Sequence, residues 1–248
     1  MVDKTKKSAE GSELNDEGSN YKDGVYKNPS VTADLVILSV IEEQLGVLLI
    51  KRRDPPFRDS WALPGGFVNY DEDIEAAAYR ELKEETGVDD AYLEQLQTFG
   101  NPKRDPRKRI ITVAYFSLVD YKKIKQPVAG DDAKEAKWFK ISELPALAFD
   151  HKDIINKALD RIRNKISYTN IGFELIPDNF TIPELRKVFE MILGREINAT
   201  NFRTKILKLK ILKKTKDKRT EGKGQPAPVY VLDKDKFAKL KNGETLFN

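Results

Sequence analysis

The 248-residue chain has no cysteine, one histidine, two methionines and two tryptophans. Without cysteine there is no disulfide framework, no thiolate-bound zinc or iron–sulfur cluster and no thiol nucleophile. A single histidine, His151, cannot build a His-rich metal site, and any Ser-His-Asp triad would have to be built around it. No apolar run approaches the ~18–20 residues of a membrane span. The polar opening stretch has no apolar core of the kind an export signal needs. Together with the missing cysteines, this gives the expectation of a cytoplasmic protein with no membrane partner.

Carboxylates, lysine, arginine, tyrosine and hydroxyls remain, and with them the oxygen-ligand chemistry of hard cations. The net charge of +4 conceals a division: residues 1–150 carry 22 Lys and Arg against 28 Asp and Glu, residues 151–248 carry 22 against 12. An acidic front and a basic back predict two modules with different partners, the basic one facing nucleic acid or an anionic membrane.

Residues 1–24 have almost nothing to bury and read as a disordered tail. A front domain is expected over 25–150, a linker helix over 151–166 and a second domain over 167–248. Strands are predicted at Val31–Val40, Val47–Lys51, Leu93–Phe99, Ile110–Val119 and Ala136–Lys140. The stretch Asp54–Gly66, with three prolines and Gly65-Gly66, reads as a loop, and Ser142–Leu144 as a helix start. Asp73 is an expected N-cap for a helix that Gly87 stops near Thr86. His151–Lys165 shows Ile154, Ile155, Ala158, Leu159 and Ile162 on one face. His151 itself reads as an interdomain packing or capping residue.

After about Ser167 the order is a capping-box helix from Thr181, a tight turn at Gly194, a helix over Ala199–Leu209 and a hairpin. The hairpin strands are expected at Ile211–Thr215 and Val229–Leu232, with a polar tip over Lys216–Pro228. Helix, turn, helix and hairpin is the order of a winged helix-turn-helix.

The strongest chemical signal is Gly66, five residues, Glu72, seven residues, then Arg80-Glu81-Leu82-Lys83-Glu84-Glu85-Thr86-Gly87-Val88. At helical periodicity Glu81, Glu84 and Glu85 fall within an arc of about 100°, with Arg80 and Lys83 mainly off it. Like charges so placed repel one another unless a divalent cation sits among them. A solvated acidic helix and a cation site are both open readings of the three glutamates alone. The full spacing resembles the Nudix box at every defined position. Trp61-Ala62-Leu63-Pro64-Gly65-Gly66 before it and Ala136-Lys137-Trp138-Phe139 after it extend the resemblance over about residues 28–150.

That resemblance implies an α/β/α sandwich around a mixed sheet and hydrolysis of a nucleoside diphosphate derivative. It implies Mg²⁺ or Mn²⁺ held by Glu81, Glu84 and Glu85 with backbone oxygen from Gly66. Glu72 and Arg80 take supporting roles, and Glu84 and Glu85 serve catalysis as well. A general base outside the box is expected among Asp131, Asp132 and Glu135, with Glu135 preferred. The basic segment Lys103-Arg104-Asp105-Pro106-Arg107-Lys108-Arg109 looks like that of ADP-ribose pyrophosphatases and their regulatory relatives. It offers Arg104, Arg107 and Arg109 to substrate phosphates; a solvated basic loop is the other reading.

Residues 203–223 hold ten basic residues, including Lys223, against Asp217 and Glu221. On the second helix of this module, Phe202, Ile206 and Leu209 share an inward face. Thr200, Asn201, Thr204, Lys205 and Lys208 point out, groups suited to base edges and phosphates. Asn201, Arg203, Thr204, Lys205 and Lys208 are the expected helix contacts to duplex DNA. Lys214, Lys216, Lys218 and Arg219 are expected on the wing. Few aromatics argue against a stacking platform for single strands.

The segments Phe149-Asp150-His151, Phe173–Pro177, Phe180–Leu185 and Asn201-Phe202-Arg203 resemble Nudix-related transcriptional regulators of the NrtR group and their sugar-utilisation relatives, over roughly residues 28–232. The resemblance implies a homodimer on a palindromic operator, controlled by an ADP-ribose-like ligand. NAD metabolism is the expected pathway and pentose utilisation the alternative. Many members have degraded boxes; this chain keeps every position, which leaves open a Nudix hydrolase without a regulatory role.

Overall fold

The computed structural model describes residues 28–88, 91–121, 124, 133–166, 169, 171–220 and 225–239. The expected tail, Asp131, Asp132 and Lys223 lie outside the described residues.

Strands β1 (Ser30–Ile41) and β2 (Gln44–Arg52) form an antiparallel hairpin. Its two-residue turn, Glu42-Glu43, has positive φ at both positions, the geometry that matches strand twist in tight hairpins. The loop expected over Asp54–Gly66 contains two short strands, β3 (Trp61–Ala62) and β4 (Gly65–Phe67). They pair with β2 and β1, whose edges run on past the hairpin and leave backbone groups to satisfy. Strand β5 (Tyr92–Phe99) lies antiparallel to β6 (Ile110–Leu118), which runs parallel to β1. Strand β7 (Ala133–Lys140) closes the other edge against β2. The described strands form one mixed seven-stranded sheet.

Side-chain alternation sorts the sheet into two faces. Leu35 and Ile37 pack with Ala77, Ala78 and Leu82 of helix α1 (Ile74–Thr86). Val36 and Leu38 face helix α2 (His151–Lys165). Both faces are covered, so β1 and β6 are nearly continuous apolar runs. Helix α1 is bounded as its sequence dictates: the Asp73 carboxylate accepts from the Glu75 amide at 2.9 Å, and Gly87 ends the helix at φ 70°. The helix expected to begin at Ser142 is one 3₁₀ turn, Ile141–Glu143. Leu144 precedes Pro145, and its backbone is pushed to the extended region.

The C-terminal module comprises a 3₁₀ turn (Ile171–Leu175), β8 (Asn179–Thr181), α3 (Ile182–Leu193), α4 (Ala199–Lys208), β9 (Leu212–Arg219), β10 (Ala227–Leu232) and α5 (Lys234–Ala238). Both halves of the Thr181–Glu184 capping box form. The sheet order is β8-β10-β9. The strands of the hairpin extend beyond the expected tip: Lys218 lies opposite Pro228 and Arg219 opposite Ala227. Lys218 and Arg219 therefore sit on paired backbone, not in a loop, and Lys216 lies where the register shifts between the Lys214 and Lys218 pairs.

Helix α2 does more than join the modules. Its stripe of Ile154, Ile155, Ala158, Leu159 and Ile162 belongs to one buried cluster. That cluster runs from Val36 and Phe116 of the sheet to Phe173, Leu185, Phe189 and Phe202 of the C-terminal module. Each buried Ile or Leu there contributes roughly 1.5–3 kcal/mol. The first turn of α2 is tethered separately. His151 is 4% exposed, and its Nδ1 accepts from the Leu63 amide at 2.8 Å. Burial pushes the imidazole pKa down from its ordinary 6.5, helped by Arg104 and Arg52 and opposed by Asp34 and Asp150.

Two stability measurements test this account. Ile155→Ala is expected to cost about 2–5 kcal/mol, read as a lower denaturation midpoint with unchanged m-value; a loss below about 1 kcal/mol would contradict the shared core. His151 is held neutral in the fold, so the unfolded chain binds the extra proton. Stability should therefore be level above the ordinary imidazole pKa and fall as pH drops below about 6.5, by up to about 1.4 kcal/mol per unit. His151→Gln should flatten that slope, and a flat wild-type profile from about pH 7 to 5.5 would mean that the imidazole takes up its proton as readily in the fold as in the unfolded chain.

Candidate functional site

The stripe of three glutamates on α1 divides in the structure. Glu81 and Glu85 are turned inward and buried, whereas the Glu84 side chain is 53% exposed. Arg80 organises the group. Its Nε and Nη2 donate to the Glu72 carboxylate at 2.8 and 3.0 Å, and its Nη1 donates to Glu81 Oε1 at 2.7 Å, with Glu84 Oε2 at 3.6 Å. The Arg80 bonds, with the Asn69 amide, hold the Glu72 pKa down to about 2. Gly66 is required by proximity: a Cβ at this position would lie 2.2 Å from Glu81 Oε1. The backbone of Gly66 and the carboxylate of Glu81 thus share one small space.

Those oxygen donors fit Mg²⁺ or Mn²⁺ in kind. Among the described residues, however, no three His, Cys, Asp or Glu side chains are gathered closely enough to hold a metal ion. The residues expected to bind metal are brought to one end of one helix, and the arginine there bonds to the carboxylates.

Beside Gly65 and Gly66 opens a cleft of about 270 Å³. Arg104 and Arg107 line it, and Arg109 does not; the Arg109 Nη1 donates to the Gly100 carbonyl at 2.6 Å. Arg104 is nearly enclosed. Its Nε and Nη2 donate to the Asp150 carboxylate at 3.0 and 2.8 Å, and Nη2 also reaches Asp34 Oδ2 at 3.0 Å. Burial alone would lower its pKa, but these bonds raise it. Arg107 forks onto Asp105 at 3.1 and 2.7 Å and lies 5.7 and 5.9 Å from the Phe67 and Phe149 rings. Arg52 stands 5.0 Å over Phe149, which also meets the edge of Phe57. A wall of rings and guanidinium groups suits a flat base and phosphate oxygens. Glu135 is exposed on β7, opposite Lys51, and does not line the cleft.

Sequence reasoning missed Asp34, Asp150, Arg52 and Phe67 as cleft or clamp residues. Asp34 had a legible signal, a lone carboxylate inside an otherwise apolar strand, which needs a buried partner.

In the C-terminal module, Phe202 and Ile206 of α4 are buried as expected, and Leu209 is half-buried. Asn201, Arg203, Thr204, Lys205 and Lys208 are exposed. On β9, Lys214, Lys216 and Lys218 are all exposed. Arg219 is diverted: its Nη1 bonds both oxygens of the Glu184 carboxylate at 2.7 and 2.9 Å, pinning the wing to the start of α3. No helix among the described residues is long and apolar enough to cross a membrane.

Comparison with known proteins gives the same two parts. Residues 31–159 match the NUDIX domain, and residues 172–232 match the NrtR DNA-binding winged helix domain. The chain is 38% identical, over 86% of its length and 85% of the relative's, to an ADPR responsive transcriptional repressor, NtrR, of Acinetobacter baylyi. An ADP-ribose pyrophosphatase of Methanocaldococcus jannaschii is 44% identical over 53% of this chain and 73% of its own. The crystal structure of Shewanella oneidensis NrtR complexed with a 27mer DNA superposes with a TM-score of 0.74 at 36% identity, covering 84% of this chain and 95% of that one. The chain therefore belongs to the Nudix family, in the branch that carries an NrtR-type winged helix behind the Nudix domain.

Proposed function

We propose that this protein is a transcriptional repressor whose DNA affinity responds to ADP-ribose or a closely related nucleoside diphosphate. The observation that carries this reading is the likeness along almost the whole chain to an ADPR responsive repressor. It joins a cleft of guanidinium groups and rings to a cationic α4 and wing within one continuous core. DNA is met by Asn201, Arg203, Thr204, Lys205 and Lys208 in the major groove and by Lys214, Lys216 and Lys218 on the adjacent backbone. The chain acts as a homodimer on a palindromic operator, since paired half-sites mirror a two-fold protein.

A second reading, hydrolysis of the ligand, is favoured by the complete box and by the likeness to an ADP-ribose pyrophosphatase. Glu81, Glu84 and Glu85, with the Gly66 carbonyl, would hold Mg²⁺ or Mn²⁺. When bound, such a cation neutralises the diphosphate and lowers the pKa of an attacking water. Arg80 sets the Glu72 and Glu81 carboxylates. Arg107 orients the diphosphate at the cleft mouth, and Glu84 is the box carboxylate open to solvent.

Duplex DNA from upstream of the protein's own gene tests the repressor reading by fluorescence anisotropy. Affinity is expected to fall linearly with the logarithm of salt and to change when ADP-ribose is added. Lys205→Ala with Lys208→Ala should reduce the salt slope by about two. Salt-independent binding, or an unchanged slope, counts against the assignment of α4. For hydrolysis, ADP-ribose with Mg²⁺ should release AMP. Glu84→Gln should lower the rate by more than the roughly 10–100-fold typical of losing an outer-sphere partner. Absence of AMP from the wild type removes the enzyme reading and leaves the repressor intact.

A further inference from the structure

Two consecutive residues at the start of α2 are tied to the ligand cleft by their side chains. Asp150 is the N-cap of the helix, yet its carboxylate makes no capping bond. It is turned instead onto Arg104, with two bonds of 3.0 and 2.8 Å. His151, the next residue, accepts from the amide of Leu63, three residues before Gly66. The residue before this pair, Phe149, has φ 52°, a left-handed conformation costly for an aromatic residue and held only because its surroundings fix it. The body of the same helix is packed in the cluster that includes Leu185 and Phe189 of α3 and Phe202 and Ile206 of α4.

Arg104 is the joint of this arrangement. Its bonds all leave from Nε and Nη2, and among the described residues Nη1 has no hydrogen-bond partner. A side chain 4% exposed, lining a cleft beside Gly66, thus has one nitrogen that neither carboxylate engages. A phosphate oxygen bonded at Nη1 adds a further pull on a guanidinium that the two carboxylates hold only through Nε and Nη2.

We propose that Asp150 and Arg104 couple the cleft to the DNA-binding module: an anionic ligand draws Arg104 from Asp150, loosens the first turn of α2, and shifts the helices packed on that helix. Arg104 is a positioning residue here, because its effect on DNA passes through α2. The inference rests on the repressor reading above and names its mechanical path. It requires reciprocity: whatever factor the ligand imposes on DNA affinity, DNA imposes on ligand affinity.

Asp150 gives the test, because it holds Arg104 without lining the cleft. With the full-length protein, DNA affinity is measured by anisotropy with and without ADP-ribose, and ADP-ribose affinity by calorimetry with and without DNA. The wild type should show one common factor of roughly 5–150-fold in both experiments. In Asp150→Asn, which keeps the side-chain shape and weakens the bonds to Arg104, the ratio should fall to within about twofold of one while ADP-ribose still binds. Asp150→Glu, which keeps the carboxylate, should retain most of the wild-type ratio, a rescue that a merely structural role does not predict. A wild-type ratio in Asp150→Asn overturns the coupling and leaves the repressor reading standing. A wild type that binds ADP-ribose with no effect on DNA overturns both.

Discussion

Arg104 lies almost entirely out of water, and a guanidinium there is tolerable only because Asp34 and Asp150 accept its protons in good geometry. That constraint fixes several others. Asp34 must come from β1, so a carboxylate interrupts a strand whose other residues from Ala33 to Leu38 are apolar and buried. Asp150 must come from the start of α2, so the helix begins at the cleft wall. The basic loop between β5 and β6 must fold inward far enough to deliver Arg104, which leaves Arg107 at the mouth and Arg109 outside. Arg104 is the member the other two share: without it, Asp34 and Asp150 would face each other as like charges with little water between them, whereas without Asp150 the guanidinium still has Asp34.

The parts of the molecule that were legible in the sequence are those fixed by local chemistry. Asp73 and Gly87 bound α1 through one side-chain bond and one left-handed backbone, and Thr181 with Glu184 does the same for α3. The apolar period of α2 is visible because burial and helix geometry repeat together. What could not be read depends on partners distant in sequence. β3 and β4 are two and three residues long, and they are strands only because β1 and β2 offer free edges. Strand β9 is seven-eighths polar along Leu212–Arg219, with no buried face to impose alternation, so its outer half, from Lys216, reads as a tip.

The site shows the same division. The box residues are found by spacing alone, because the chemistry demands several carboxylates on one helical turn. Their states are not. Glu81 and Glu85 are buried with Ala77, Ala78 and Leu82 of α1, whereas Glu84 is open, a division that three clustered charges do not announce by themselves. Arg80 and Glu72 are both legible as box positions, and Glu72, directly before the Asp73 N-cap, is within reach of Arg80 on the same helix. Arg219 looked like a free wing cation, and the long-range carboxylate of Glu184 claims it. For Arg219 the charged side chain is identifiable in the sequence and its partner is not, since ion pairs between distant elements leave no periodic trace.

The division of charge between the two halves invites an electrostatic account of how ligand and DNA affect each other, an anion in the front half disturbing cations in the back. The dimensions argue otherwise. Helix α2 has 15 residues, a length of about 22 Å, while charges at a wetted surface are screened within about 8 Å at physiological salt. A field at the cleft therefore has little reach to the far end of the helix. Packed side chains transmit displacement over such a span without that loss, and the cluster from Val36 to Phe202 is continuous along it. The guanidinium groups of the cleft and the cations of α4 and the wing choose the two partners, both anions, and the apolar stripe of α2 is what allows one partner to be felt by the other.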